Sequence, residues 1–157
     1  MGTVVRSSST PIDASVDDVW KVLADGFLDI SRWAGDVTAS GPNPNTPDGF
    51  QGSPHGGRVC EVDGVGSTDE RIVAFDADAH SLSYTVQASG LPFFVSGLRN
   101  TWSVRPDGLD KSVVDVEFRA STKGIIGALG SLPLGRMLGK ATVGLPRDLR
   151  THIMGER

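Results

Sequence analysis

The stretch SLSYTVQAS (residues 81–89) decides the fold, together with SGLRNTWSVR (96–105) and SVVDVEFRAS (112–121). Leu82, Tyr84, Val86 and Ala88 share one side of the first. Leu98, Asn100, Trp102 and Val104 share one side of the second, and Val114, Val116, Phe118 and Ala120 one side of the third. Alternation at a period of two is the mark of a strand with one dry face. Pro106-Asp107-Gly108 supplies the turn between the last two. The three runs read as an antiparallel meander.

Working backward, residues 58–62 (RVCEV) and 68–75 (TDERIVAF) are two further strands, joined by the turn Asp63-Gly64-Val65-Gly66. Their phase stays open. Either Glu70 and Ile72 point inward, or Arg71, Val73 and Phe75 do, and residues 58–62 carry the same ambiguity. Residues 41–57 hold four prolines and five glycines among 17 positions, which no regular element survives, so they form a long loop. At the start, residues 3–10 (TVVRSSST) form a strand. Ser15 then caps a helix whose apolar positions Val16, Val19, Trp20 and Leu23 recur at helical spacing. Gly26 ends it, and a second short helix covers 28–33. From about Pro133 the spacing turns helical again, with Leu134, Leu138, Ala141, Leu145 and Leu149 on one stripe. Pro133 suits its first turn. Pro146 should kink or break it, because it removes an amide donor and crowds the carbonyl of Thr142. Gly130, Gly135, Gly139 and Gly144, at ~1 kcal/mol each against alanine, point to close approach or mobility in this segment.

Composition bounds the function. The 157 residues are enough for one core and one domain, 1–157. A net charge of −4 with no basic block argues against nucleic acid. The longest uncharged run in the C-terminal part, 124–135, is 12 residues, short of the ~20 of a transmembrane helix. The N-terminus has no apolar signal core. Cys60 is the sole cysteine, so no disulfide framework exists, and a cytoplasmic location is expected. Cys60 reads as a buried small hydrophobe, not a nucleophile. His55, His80 and His152 show no metal-ligand spacing, and no phosphate-binding glycine motif is present, so neither a metal nor a cofactor is expected.

The order strand, two short helices, strand meander and long final helix resembles the START/SRPBCC superfamily, which includes polyketide cyclase/dehydrase-like and pollen-allergen-like proteins. The residues that carry the likeness are ASVDDVW at 14–20 with Trp33 downstream, DERI at 69–72 leading to Phe75-Asp76, LSY at 82–84, RPDG at 105–108, and the final helix. The resemblance implies an α+β helix-grip fold: a curved antiparallel sheet wrapped round the C-terminal helix, with an apolar cavity between them. It also supports the inward phase of Glu70, since plant hormone receptors of the superfamily aim the corresponding Glu into their pocket. Their gate corresponds to the turn 63–67 here, which lacks its motif, and their latch falls near 97–100. Ser89-Gly-Leu-Pro92 lies one hairpin later and is unrelated to that gate. Hormone sensing does not carry over.

The expected function is binding or carriage of a small lipophilic molecule such as a lipid or polyketide. A cyclase or dehydratase is the alternative, with Glu70 as acid or base and Tyr84 as proton donor. A protein-interaction module with a collapsed cavity is a third reading. The expected ligand contacts are Glu70, Ile72, Tyr84, Val86, Phe93, Phe94, Leu98, Asn100, Trp102, Phe118, Met137, Leu138 and Ala141. Glu70 needs a partner if buried, either a ligand hydroxyl or an internal arginine. Tyr84 and Asn100 are each either pocket contacts or structural hydrogen-bonding groups. Phe93 and Phe94 are adjacent, so one of them should be exposed or line an entrance. The chain is expected to be a monomer or homodimer.

Overall fold

A computed structural model describes residues 2–155, and of 125–131 only the backbone. The chain runs β1 (Gly2–Ile12), α1 (Val16–Leu23), a 3-10 helix (Phe27–Arg32), β2 (Val37–Pro42), β3 (Gly57–Val62), β4 (Gly66–Asp76), β5 (Ser81–Ala88), β6 (Val95–Pro106), β7 (Ser112–Thr122) and α2 (Gly124–Gly155). The seven strands form one antiparallel sheet in the order β1-β7-β6-β5-β4-β3-β2. The fold is a helix-grip: a curved open sheet against a long C-terminal helix.

The local signals explain most elements. The Ser15 hydroxyl accepts the Asp18 N–H at 3.2 Å, which caps α1 as its sequence implies. Strand β2 is the element absent from the sequence expectation. Its residues VTASGP hold one large hydrophobe, Val37, because an edge strand buries little, and edges tolerate proline. The loop is therefore shorter at both ends than 41–57, since Gly41 and Pro42 lie in β2 and Gly57 opens β3. Gly57 has to be glycine: a Cβ there would overlap the Glu70 carbonyl oxygen. Asn43 pins the loop to β4, donating from Nδ2 to Asp69 Oδ1 at 2.8 Å and to the Glu70 carbonyl at 3.1 Å.

A register shift between Ile72 and Ala74 settles the phase of β4. Before it, Thr68, Glu70 and Ile72 face inward. Arg71, between Glu70 and Ile72, points outward; the bulge at the exposed Val73 then shifts the phase, so that Phe75 packs on the core. In β3 the inward residues are Arg58 and Cys60.

The start expected for the last helix is corrected, and of the two outcomes expected at Pro146 the break does not occur. The helix begins at Gly124, well before Pro133, and it runs through Pro146 without a break over 32 residues, ~48 Å. Pro146 leaves the Thr142 carbonyl without its helical amide donor, and the Ser8 hydroxyl of β1 donates to that oxygen instead. The buried stripe Leu134, Leu138, Leu149 and Ile153 then holds both halves against the sheet. Gly135 sits hard against the Arg6 guanidinium, whereas Gly139 faces open space. The expectation for Gly130 falls outside the described residues. At its far end α2 is tied down by Asp148, whose Oδ2 accepts the Gly35 N–H at 2.9 Å.

Candidate ligand cavity

Sheet and helix do not meet along their whole length. Between them lies a hollow of about 1020 Å³. Its walls come from β3 to β7, from the turn that joins β3 to β4, and from the middle of α2.

Register builds the polar part of the wall. Arg58 stands directly opposite Glu70 in the β3–β4 ladder, and Glu70 opposite Val86. In the neighbouring row Ile72, Tyr84, Asn100 and Phe118 face one another in turn across β4, β5, β6 and β7. Arg58 Nε meets Glu70 Oε1 at 3.0 Å, with side chains only 5% and 7% exposed. Arg58 Nη1 donates to the Phe27 carbonyl at 2.8 Å, and the Thr68 hydroxyl donates to Glu70 Oε2 at 2.7 Å. The guanidinium also lies over two rings, 4.1 Å from the Phe27 centroid and 4.8 Å from that of Tyr84. Buried charges persist only when paired and hydrogen-bonded, and this pair is both.

The electrostatics follow from that pair. Burial works against the Arg58 charge, but the Glu70 carboxylate more than offsets it, so the guanidinium is held above its ordinary range. Burial pushes the Tyr84 phenol up, against the pull of Arg58. The Cys60 thiol is pushed up to about 12, first by burial and then by Glu70. A thiol so placed stays protonated and is no nucleophile. Both oxygens of Glu70 are engaged within the protein, one by Arg58 and one by Thr68.

The expected ligand contacts separate into groups. Glu70, Tyr84, Val86, Leu98, Asn100, Phe118, Met137, Leu138 and Ala141 line the hollow. Of these Met137 is 38% exposed, so it borders the hollow from the surface side of α2. Ile72 and Trp102 lie in solid core and do not border the space. Trp102 takes the edge of Trp33 at 6.0 Å instead. Phe93 is 72% exposed, and Phe94 packs edge-on to it and against the core; neither lines the cavity. Trp20 rests on Phe75, 5.5 Å between centroids.

Sequence reasoning missed Arg58, Cys60 and Thr68, which line the hollow, and it missed Leu91. The segment 89–92 thus does reach the cavity, and Gly90 packs against the Val65 carbonyl of the neighbouring turn. The available signal for Arg58 was its two-residue spacing from Cys60, which a resolved strand phase would have turned inward. A second depression runs over the outward-facing positions Val59, Glu61, Asp69 and Gln87. It is open to solvent and contains none of the Arg58, Glu70, Tyr84 and Asn100 side chains. Among the described residues no cluster of three metal-ligating side chains occurs, and no helix is long and apolar enough to cross a membrane.

The model of one family, "Polyketide cyclase / dehydrase and lipid transport", matches residues 3–149. The chain belongs to that family. Its fold is similar to that of a START superfamily protein from Mycobacterium smegmatis, at TM-score 0.72 and 13% identity over 99% of this chain and 100% of the other. It is similar to the Zhui aromatase/cyclase from a Streptomyces species, at TM-score 0.71 and 16% identity over 99% and 93% of the two chains. A norcoclaurine synthase from Thalictrum, solved as a point mutant with a transition-state analogue, superposes at TM-score 0.69 and 17% identity over 99% and 96%. Identities this low speak to the fold alone. Among curated proteins none matches the chain.

Proposed function

We propose that this family member binds and carries a small lipophilic molecule in the hollow between its sheet and α2. The observation that carries the reading is the size and wall of that space. About 1020 Å³ reaches the top of the range of small-molecule sites, ~300–1,000 Å³, with an apolar lining and a few placed polar groups. Family membership supports it, since lipid transport and polyketide chemistry both handle apolar cargo. A cyclase or dehydratase that used Glu70 as its acid or base would need that carboxylate unengaged, and Glu70 is committed to Arg58 and Thr68, so carriage is favoured. The reading as an interaction module required a collapsed interior, which the open hollow counts against. Residence in the cytoplasm remains part of the proposal, resting on the single cysteine.

Native mass spectrometry of gently purified protein, with displacement of an anilinonaphthalene sulfonate probe, tests it. Ala141 lines the hollow from α2, and Ala141→Trp fills it. The variant should keep its circular dichroism spectrum and weaken the probe at least about tenfold, ~1.4 kcal/mol. Unchanged probe affinity in a folded Ala141→Trp protein would overturn the proposal.

A further inference from the structure

The charges of this chain are unevenly divided along it. From Lys123 onward there are six Lys and Arg against two acids, and in residues 1–122 nine against 17, so a segment of net +4 follows one of net −8. Such an asymmetry points to a surface of opposite charge outside the molecule. The cations are dispersed in sequence, and the helix gathers them. In α2, Leu132, Arg136, Lys140, Val143, Arg147 and Arg150 recur at steps of three and four residues, and all six are exposed. They lie opposite the stripe of Leu134, Leu138, Leu149 and Ile153 that packs on the sheet. Asp148 is the one acid in α2. Its Oδ2 is turned to the Gly35 N–H, and its Oδ1 lies 3.9 Å from Arg147 Nε, whose side chain stays 71% exposed.

The stripe is apolar as well as basic. Leu132 and Val143 are 62% and 60% exposed, and they alternate with the cations on the same face. A helix lying in the plane of a charged membrane surface has this pattern: carbon enters the interface, and Lys and Arg extend their stems toward the headgroups. An acidic protein or a nucleic acid offers the same opposite charge, but each fits the face less well. The stripe spans 18 residues, ~27 Å, on a helix ~10 Å wide, which gives ~270 Å². A specific protein partner covers about 800 Å². A phosphate backbone leaves Leu132 and Val143 with nothing to bury them. A lipid surface needs no shaped counterpart, and each Lys or Arg near anionic headgroups strengthens binding about fivefold. Lys140, Val143 and Arg147 also border the hollow, so this face and the hollow adjoin.

We propose that the outer face of α2 docks on an anionic lipid bilayer, with Arg136, Lys140, Arg147 and Arg150 among the headgroups and Leu132 and Val143 entering the interface. The proposal goes beyond the cavity reading and does not depend on it.

Co-sedimentation of the full chain tests it, with vesicles of phosphatidylcholine alone and of phosphatidylcholine with about one-third phosphatidylserine. The charged vesicles should bind at least about fiftyfold tighter, and about 0.5 M salt should remove most of that binding. Arg136 and Arg150 do not line the hollow. A protein carrying both Arg136→Glu and Arg150→Glu should therefore bind charged vesicles about 25-fold more weakly, or worse, and keep its affinity for the anilinonaphthalene sulfonate probe. Leu132→Ser should weaken vesicle binding about threefold and leave its salt dependence unchanged. Equal binding to both vesicle types, binding to neither, or undiminished binding by the charge-reversed protein overturns the proposal. Binding to soluble polyglutamate as tight as to charged vesicles also overturns it, because charge alone is then recognised without a lipid surface. Loss of the probe from the native protein would strike the cavity reading and leave the docking face standing.

Discussion

Arg58 and Glu70 close a buried ion pair at 3.0 Å from facing positions of β3 and β4. The pair is more than a contact inside the wall. It neutralises the polar side of an apolar hollow, draws Arg58 across the Phe27 and Tyr84 rings, and ties the 3-10 helix to the sheet through the Phe27 carbonyl.

Removing one partner leaves a charge stranded. Arg58→Met and Glu70→Leu should each lose about 3–5 kcal/mol in urea denaturation, whereas the double variant should recover most of that loss. Additive losses in the double variant would show that the two side chains act independently.

The Ser8 hydroxyl and Pro146 should be coupled through the Thr142 carbonyl. Ser8→Ala removes the donor and should lower stability by about 1–2 kcal/mol, because the carbonyl is then orphaned. In a Pro146→Ala background the new amide satisfies that oxygen, so Ser8→Ala should cost clearly less. A thermodynamic cycle over the four proteins measures the coupling, and a value near zero would separate the two residues.

Stability should fall in alkali through Cys60. Its ordinary value is 9.0, and the folded thiol is pushed up to about 12. Between those values the unfolded chain sheds the proton and the folded chain keeps it. Unfolding therefore gains in that window, and stability declines as pH rises. Below 9.0 both states hold the proton and the term vanishes. Urea midpoints of the native protein and of Cys60→Ala, followed from pH 8 to pH ~10.5, should diverge, with the alanine protein the less sensitive. At pH 8 a thiol reagent should modify the folded protein far more slowly than the unfolded one, since Cys60 is buried.

Asn43 holds the Gly/Pro-rich loop on β4 through Asp69 and the Glu70 carbonyl. Asn43→Ala should speed proteolysis within 44–55 several-fold, with a smaller effect on global unfolding. Acid should act likewise. Hydrogen bonding from Arg71 chiefly, and from Asn43 and Asn45, holds the Asp69 carboxyl below its ordinary range. That contribution is present above the ordinary carboxylate value, ~3.9, and is lost as pH falls through the lower folded value. Cleavage rates in the loop should therefore rise only below the ordinary range, and a rise already near neutrality would contradict the role of Asp69.

Much of the fold was legible because its signals are local. The alternation in 81–89, 96–105 and 112–121, the Ser15 cap and the stripe from Leu134 to Leu149 each follow from the period of one element. β2 was not legible, because an edge strand with one buried side chain has no dry face to repeat. The start of α2 was masked by Pro133 and by glycines that ordinarily end helices.

What the sequence alone determined, then, is which residues are apolar at which period, and so a meander of strands followed by a helix. Tertiary structure decided which residue meets which. The Arg58–Glu70 pair spans 12 residues, Tyr84–Asn100 spans 16, and Ser8–Thr142 spans 134. Register places the first two, and the packing of α2 against β1 places the third. The physical reason is that a buried polar group is neutral to the period of its own strand. Its free energy depends on whether a partner from a distant segment arrives within hydrogen-bonding reach, and only the assembled sheet brings it there.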